Sequence, residues 1–249
     1  MSISPYKNKP KEEWLSITKK LIEKYPLSND EILEISLLAW NRLWTTKVGN
    51  TINLSEVDLP ATVIGYFFQK LFTYELIKRY PKNWRGEKSK EDKDLVYIHN
   101  NFFNTEMKTS GQMGYKIFGN RSYNKNSKNN IKDKSGYYIT INFSGKTLTL
   151  IRLGWIDQED WNSQVSENGQ AATLKQDVYK YKLIEIHGAY QLKSPIQLLD
   201  GIGHKTFEKL KNENILTFED ILNYSGNNSI INTIKERNKN FLNILNQYR

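Results

Sequence analysis

Apolar positions along the first eighty residues recur at helical spacing. Trp14, Ile17, Leu21 and Tyr25 mark a helix over residues 11–25, which Pro26 ends. Ser28-Asn29-Asp30-Glu31 has the form of a capping box and opens a second helix, with Ile32, Ile35, Leu38 and Leu43 on its packed face. A third helix starts near Pro60, a residue suited to a first turn, and carries the stripe Ile64, Phe67, Phe68, Leu71 and Phe72. The first two helices read as structural or as part of a dimer interface. Glu75 falls within the apolar stripe of the third. A buried acid is costly unless it is paired or binds a metal. Pairing with Arg79, one turn on, is the simpler outcome.

The period then drops to two. Leu95-Val96-Tyr97-Ile98, a polar turn at His99-Asn100-Asn101, and the run into Thr105-Glu106-Met107-Lys108 predict two adjacent strands joined by a hairpin-like turn. Residues 136–143 set Tyr138, Thr140 and Asn142 against Tyr137, Ile139, Ile141 and Phe143, and Ser144-Gly145 turns the chain into a partner strand over 146–153. A further strand covers residues 183–186. Helical spacing returns near the end: a run to Leu210, then a last helix from about Asn228 with Ile230, Ile231, Ile234, Phe241, Leu242 and Leu245. These elements predict an α/β chain in two parts: residues 1–190 as a mixed β-sheet flanked by helices, and residues 191–249 as a small all-α module.

Three polar stretches interrupt the pattern. Residues 82–93 read as a charged, solvated connection, with Arg85 able to touch phosphate. Residues 119–135, rich in Asn, Lys, Ser and Gly, read either as a flexible basic loop or as a DNA-facing one that orders over 124–133 on DNA. In the second reading Asn120, Arg121, Ser122 and Tyr123 do the recognition, because Arg pairs bidentately with guanine, Asn with adenine, and Tyr stacks or bonds phosphate. Residues 155–176 hold Trp155, Trp161, Gln164 and Gln170, whose amides suit base edges and ordinary loops alike.

Charge narrows the partner. The 249 residues hold 36 Lys and Arg against 27 Asp and Glu, a formal charge of +9 that points to a polyanion, most simply nucleic acid. The absence of cysteine excludes disulfides and Cys-based zinc sites and fits a reducing cytoplasm. The N-terminus has no apolar core of a signal peptide, and no run approaches the length of a membrane span.

The chemistry gathers in residues 94–108. In a strand, residues two apart share a face, so Glu106 and Lys108 project together while Met107 turns into a core. Asp94, at the start of the neighbouring strand, reaches the same spot. Two carboxylates and an ammonium at a sheet edge can hold Mg²⁺ through hard oxygen ligands. The ion then polarises a phosphoryl group and acidifies a water, while the lysine orients that water or offsets developing charge. A Glu-x-Lys triplet alone also occurs on solvated strands; the acid a dozen residues upstream, ahead of an apolar run, is what distinguishes this one.

The pattern Asp94…Glu106-Met107-Lys108 resembles the PD-(D/E)XK nuclease motif. Its surroundings are Trp84-Arg85-Gly86, Lys93-Asp94-Leu95-Val96-Tyr97, Ile117 to Tyr123 with the segment GNRSY, Lys134-Ser135-Gly136-Tyr137-Tyr138 and Ile151 to Asp157. In that order they resemble the ScaI-like family of type II restriction endonucleases over roughly residues 80–185. The proline of the motif's first half is absent, and Lys93 precedes Asp94. The resemblance implies a restriction-endonuclease-like sheet and sequence-specific cleavage of double-stranded DNA by a homodimer on a palindromic site. It further implies Mg²⁺ (with Mn²⁺ as a substitute), 5′-phosphate products, Asp94, Glu106 and Lys108 as catalytic residues with Asp94 and Glu106 on the metal, and Glu75 as an extra active-site acid on the helix before the sheet.

The tail is different in kind. Residues 194–206, with Gly201-Ile202-Gly203 at the centre, resemble a helix-hairpin-helix motif. Two glycines let a backbone turn approach a phosphate, and amides at the next helix start bind the anion, with His204 and Lys205 alongside. Such turns also serve only to close helical hairpins. Two other functions fit the same residues. A structure-specific repair nuclease also joins an acid-x-Lys core to such modules, and a non-catalytic DNA-binding protein would account for the charge.

Overall fold

A computed structural model describes residues 3–119, 133–162 and 171–249. Three helices come first: α1 (Lys11–Glu23), α2 (Asn29–Thr45) and α3 (Ala61–Arg79). The capping box at Ser28 forms. Its hydroxyl accepts the Glu31 N–H, and the Glu31 carboxylate accepts the Ser28 N–H. Ile32, Ile35, Ala39 and Leu43 of α2 are buried against Ile64, Phe68, Phe72 and Leu76 of α3. The predicted Leu38 is partly exposed instead, because the stripe follows the three- and four-residue steps through Ala39. Burying each of the two phenylalanines contributes about 1.5–3 kcal/mol.

A short hairpin of β1 (Lys47–Val48) and β2 (Ile52–Asn53) links α2 to α3. The remaining strands are β3 (Trp84–Gly86), β4 (Leu95–Tyr97), β5 (Thr105–Ser110), β6 (Phe118–Gly119), β7 (Gly136–Ser144), β8 (Thr147–Ile156), β9 (Trp161–Asn162), β10 (Ala172–Leu174) and β11 (Leu183–Glu185). Six of them form a mixed sheet in the order β11-β8-β7-β5-β4-β3, parallel only between β5 and β7. The predicted hairpins β4–β5 and β7–β8 are both present. A second sheet, β6-β10-β9, was not foreseen. Trp161 is buried in its cluster with Tyr138, Ile156 and Leu183. Gln164 and Gln170 lie outside the described residues.

Register fixes the two faces. Met107, Ile139 and Leu153 form one row across β5, β7 and β8, and they join the core under the three helices. Glu106 pairs with Tyr138, and Lys108 with Thr140 and then Arg152, all on the opposite face. Residues 136–143 of β7 are buried throughout, since helices cover one face and the small sheet the other.

Beyond residue 188 the chain makes turns at Ala189–Lys193 and Ile196–Leu198. Four helices follow: α4 (His204–Asn212), α5 (Phe218–Asn223), α6 (Ser229–Arg237) and α7 (Lys239–Asn246). They enclose a cluster of their own, from Leu192 through Leu210, Phe218 and Ile231 to Leu245. The Tyr190 hydroxyl fastens this part to the sheet, donating to the Ile186 carbonyl at 2.8 Å and accepting the Ile151 N–H at 2.9 Å. Two expectations are corrected. The hairpin before α4 is preceded by a single 3-10 turn, not a helix. The last helix is broken at Asn238, whose amide accepts the Asp200 N–H and donates to the Asp200 carbonyl, each at 3.0 Å, and so leaves the helical path to clamp the Gly201 turn.

Candidate active site

The β4–β5 ladder has one pair, Leu95 with Thr105. The next N–H of β5 on that side belongs to Met107, and the Asp94 carboxylate takes it at 2.7 Å. A side chain thus replaces a rung of the ladder. Asp94 is thereby fixed to the backbone between Glu106 and Lys108. The Lys108 ammonium donates to Glu106 Oε1 at 2.8 Å, with only 15% and 9% of the two side chains exposed. The structure therefore brings Asp94, Glu106 and Lys108 together, and Met107 is buried on the other face.

Burial pulls the Lys108 pKa down, but the Glu106 and Asp94 carboxylates outweigh it and hold the pKa above that of an ordinary lysine. At neutral pH the group is an ammonium. A largely buried ion pair of this kind contributes little net stability, because desolvation offsets the attraction.

The donor set suits Mg²⁺. That ion takes one or two carboxylates and completes its shell with water and substrate phosphate. Asp94 and Glu106 supply two hard carboxylates side by side, and no cluster of three or more His, Cys, Asp or Glu occurs among the described residues.

Glu75 is not part of this centre. It is buried, as its place in the stripe predicts, but it sits in the helical layer across the sheet from Glu106, with Arg42 Nε of α2 at 2.5 Å from Oε1. The geometry is that of an ion pair and not of an aligned hydrogen bond. Arg79 pairs with Glu34 instead. Helix α3 turns its 65, 69 and 73 positions to the sheet, Gln69 donating to the Met107 carbonyl at 3.1 Å, so Glu75 faces α2. Glu75→Gln is therefore expected to leave the dependence of cleavage rate on Mg²⁺ concentration unchanged and to lower unfolding stability by about 1 kcal/mol. A Mg²⁺ curve displaced to higher concentration would return Glu75 to the centre.

Arg85 pairs within the charged connection of residues 82–93. Its guanidinium holds the Asp92 carboxylate at 2.7 and 3.2 Å, which orders the charged connection and pulls the Asp92 pKa down to about 2. Asn120, Arg121, Ser122 and Tyr123 lie outside the described residues. Gly201 lines a cleft with Thr149 and Leu150 of β8 and Glu185 of β11, on the side of the sheet away from β4, so the hairpin is not brought to the carboxylates. Its backbone has the predicted form. Gly201 has φ +93°, a conformation that favours glycine, and a side chain there would collide with Arg237. Gly203, His204 and Lys205 are exposed.

Arg152 escaped the sequence reading. It is 2% exposed and stands in the row of Lys108 and Thr140. It donates to Thr140 Oγ1 at 3.1 Å and to Asn142 Oδ1 and the Tyr115 carbonyl at 2.8 Å each. It thus ties the sheet beside Lys108 to the segment that leaves the catalytic strand. Burial draws its pKa down to about 10, which leaves it charged at neutral pH. The available signal was an arginine at an inward position of an otherwise apolar strand.

Comparison with known proteins places the chain in a family. The family model for the ScaI restriction endonuclease matches residues 4–187, a span that includes Asp94, Glu106 and Lys108 and stops before α4. The type II restriction enzyme ScaI of Streptomyces caespitosus is 33% identical over 196 residues, covering 75% of this chain and 86% of its own. With a family match over most of its length and the acid and lysine side chains gathered on one sheet face, the chain belongs to the ScaI restriction endonuclease family.

Proposed function

We propose that this chain is a type II restriction endonuclease that cuts both strands of DNA at a specific sequence, requires Mg²⁺ or Mn²⁺, and leaves 5′-phosphates. The observation that carries the reading is the Asp94 carboxylate bonded to the N–H between Glu106 and Lys108, within a member of this family. Asp94 and Glu106 would hold the metal. Bound there, Mg²⁺ supplies Lewis-acid activation of the phosphodiester and of the attacking water. Lys108 orients that water toward phosphorus and offsets the charge that builds on the phosphoryl oxygens. Water oxygen bonds to phosphorus and releases a proton to solvent, the bond to the 3′ oxygen breaks, that oxygen takes up a proton from solvent water, and the products are a 3′-hydroxyl and a 5′-phosphate. One centre per chain supports a two-fold dimer acting on a palindrome.

Residues 1–190 form the nuclease domain in this reading, and Asn120, Arg121, Ser122 and Tyr123 contact the duplex within it. Residues 191–249 form the helix-hairpin-helix-like module, with the Ile196–Leu198 3-10 turn in the place of its first helix, and Gly201, Gly203, His204 and Lys205 grip phosphate. Phosphate contacts position a protein without specifying bases. Lys205→Ala is expected to flatten the slope of log affinity against log salt by about 0.9, equally for cognate and random duplexes. A Lys205→Ala enzyme that cut a different sequence would show that the module reads bases.

The test is digestion of a sequenced plasmid with Mg²⁺, with Mn²⁺ and without metal, followed by mapping of fragment ends. Discrete fragments that accept a 5′ label only after phosphatase treatment are expected. Cutting confined to flaps or branches would favour a repair nuclease, and binding without cleavage in either metal would favour a non-catalytic DNA-binding protein.

A further inference from the structure

Lys93 precedes Asp94 where the resembling motif has proline, and its side chain takes an unusual path. It belongs to the segment entering β4, on one side of β5. Its ammonium lies on the other side, donating at 2.6 Å to the carbonyl of Ser135, the residue before β7. The side chain therefore crosses over the catalytic strand. The face it crosses is fixed by two neighbours. The ammonium stands 5.6 Å from the centre of the Tyr138 ring, and Tyr138 is the registered partner of Glu106. Gly136, two residues from Tyr138 and on the same face, has φ +142°, and a Cβ built there would collide with Lys93 Nζ. Both features of Gly136, its backbone conformation and its missing side chain, accommodate this ammonium.

We infer that Lys93 is a second cation of the nuclease centre, which holds a non-bridging phosphate oxygen of the DNA strand being cut. The inference rests on the nuclease reading above and deepens it. A lysine ammonium has three N–H donors on a flexible stem and binds phosphate as a point charge. The Lys93 ammonium stands beside the Tyr138 ring, and Tyr138 is registered with Glu106 on the face that carries Lys108. Lys108 bonds Glu106 and serves the reacting water, whereas Lys93, anchored by a carbonyl, adds positive charge without taking the Glu106 oxygen that Lys108 uses. The simpler alternative is that Lys93 is a strut that fastens the start of β7 to β4.

The two roles separate in Lys93→Met, which keeps the stem and removes the charge, and Lys93→Gln, which keeps a donor for the Ser135 carbonyl but is neutral. Lys78→Met, an exposed change on α3 across the sheet, controls for loss of one charge. Wild-type cleavage of the plasmid comes first, since its absence would defeat the nuclease reading itself. Given cleavage, each variant that is folded at the assay temperature, whatever its unfolding midpoint, is measured for binding of plasmid duplex without divalent metal across a salt series, and for single-turnover cleavage with Mg²⁺. The expected result for both Lys93 variants is a salt slope lower by about 0.9 and a cleavage rate lower by about 10²-fold, with Lys78→Met unchanged in both. Lys93→Arg, which restores charge, should restore the slope. A strut predicts lower unfolding stability with wild-type slope and rate, and that outcome in either folded neutral variant overturns the inference.

Discussion

Lys108→Ala is expected to slow single-turnover DNA cleavage by about 10³-fold while duplex binding without metal persists, and Glu106→Ala is expected to do the same. The reason lies in where the charges stand. Lys108 and Glu106 face the centre, 2.8 Å apart, and contribute no atom to the apolar core that Met107 joins. Stability supplies an independent signature. Removing Lys108 alone leaves a mostly buried carboxylate without that ammonium, so Lys108→Ala should also unfold more easily, by up to about 3 kcal/mol. Removing both charges, as in Glu106→Gln with Lys108→Met, should bring stability back to wild type or above, because neutral replacements avoid the cost of desolvating an ion pair. Cleavage should not return. An enzyme as stable as wild type and inactive is the mark of residues kept for chemistry. Cleavage near the wild-type rate in any of these variants would remove Glu106 and Lys108 from the mechanism.

The nuclease motif was legible because its logic is local. Strand alternation puts Glu106 and Lys108 on one face and Met107 on the other, and a hairpin brings Asp94 alongside; all of that follows from periods and turn residues within fifteen positions. Ser28 and Glu31 are the same kind of signal. Glu75 shows where local reading stops. Its position in the apolar stripe correctly marks it as buried, but the identity of its partner depends on how α2 lies against α3, and Arg42, thirty-three positions earlier, occupies the place that spacing alone would give to Arg79. Lys93 and Arg152 are further cases. Each acts across strands, through Ser135 in one and Tyr115 in the other, and no periodicity along one element carries that information. The break at Asn238 coincides with a contact of the same kind, since its side-chain amide bonds the Asp200 backbone thirty-eight positions earlier.

The largest structural effect is expected at Lys182, which contributes to no part of the proposed chemistry. Its ammonium is 3% exposed on the side-chain scale and bonds Asp157 Oδ2 at 2.8 Å and both Asp160 oxygens at 3.0 and 2.8 Å. It also lies 4.2 Å from the Tyr6 ring centre and 4.5 Å from that of Trp14, so the N-terminal segment closes over it. Ser4 and the Trp155 indole donate to Asp157, and the Asp157 N–H donates to Asp160. One buried cation thus serves two buried carboxylates and joins the N-terminus to the ends of β8 and β11. Lys182→Met fills similar volume but leaves both acids without the cation, and is expected to cost about 3–5 kcal/mol at neutral pH. The pH dependence has a definite sign. Burial already raises the Asp160 pKa, with Lys182 working against it. Without Lys182 the folded-state value rises further above that of the unfolded chain. Between the two values the native state binds more protons than the unfolded state, so stability falls as pH rises through that window. The deficit of Lys182→Met relative to wild type should therefore be larger at about pH 8 than at about pH 5, toward which the folded Asp160 takes up its proton. Urea unfolding at both values measures it. Cleavage per folded molecule should stay near wild type, because Asp94, Glu106 and Lys108 keep their own contacts. A deficit that grew toward acid would mean that the carboxylates are held by other groups, and that Lys182 is not what neutralises them.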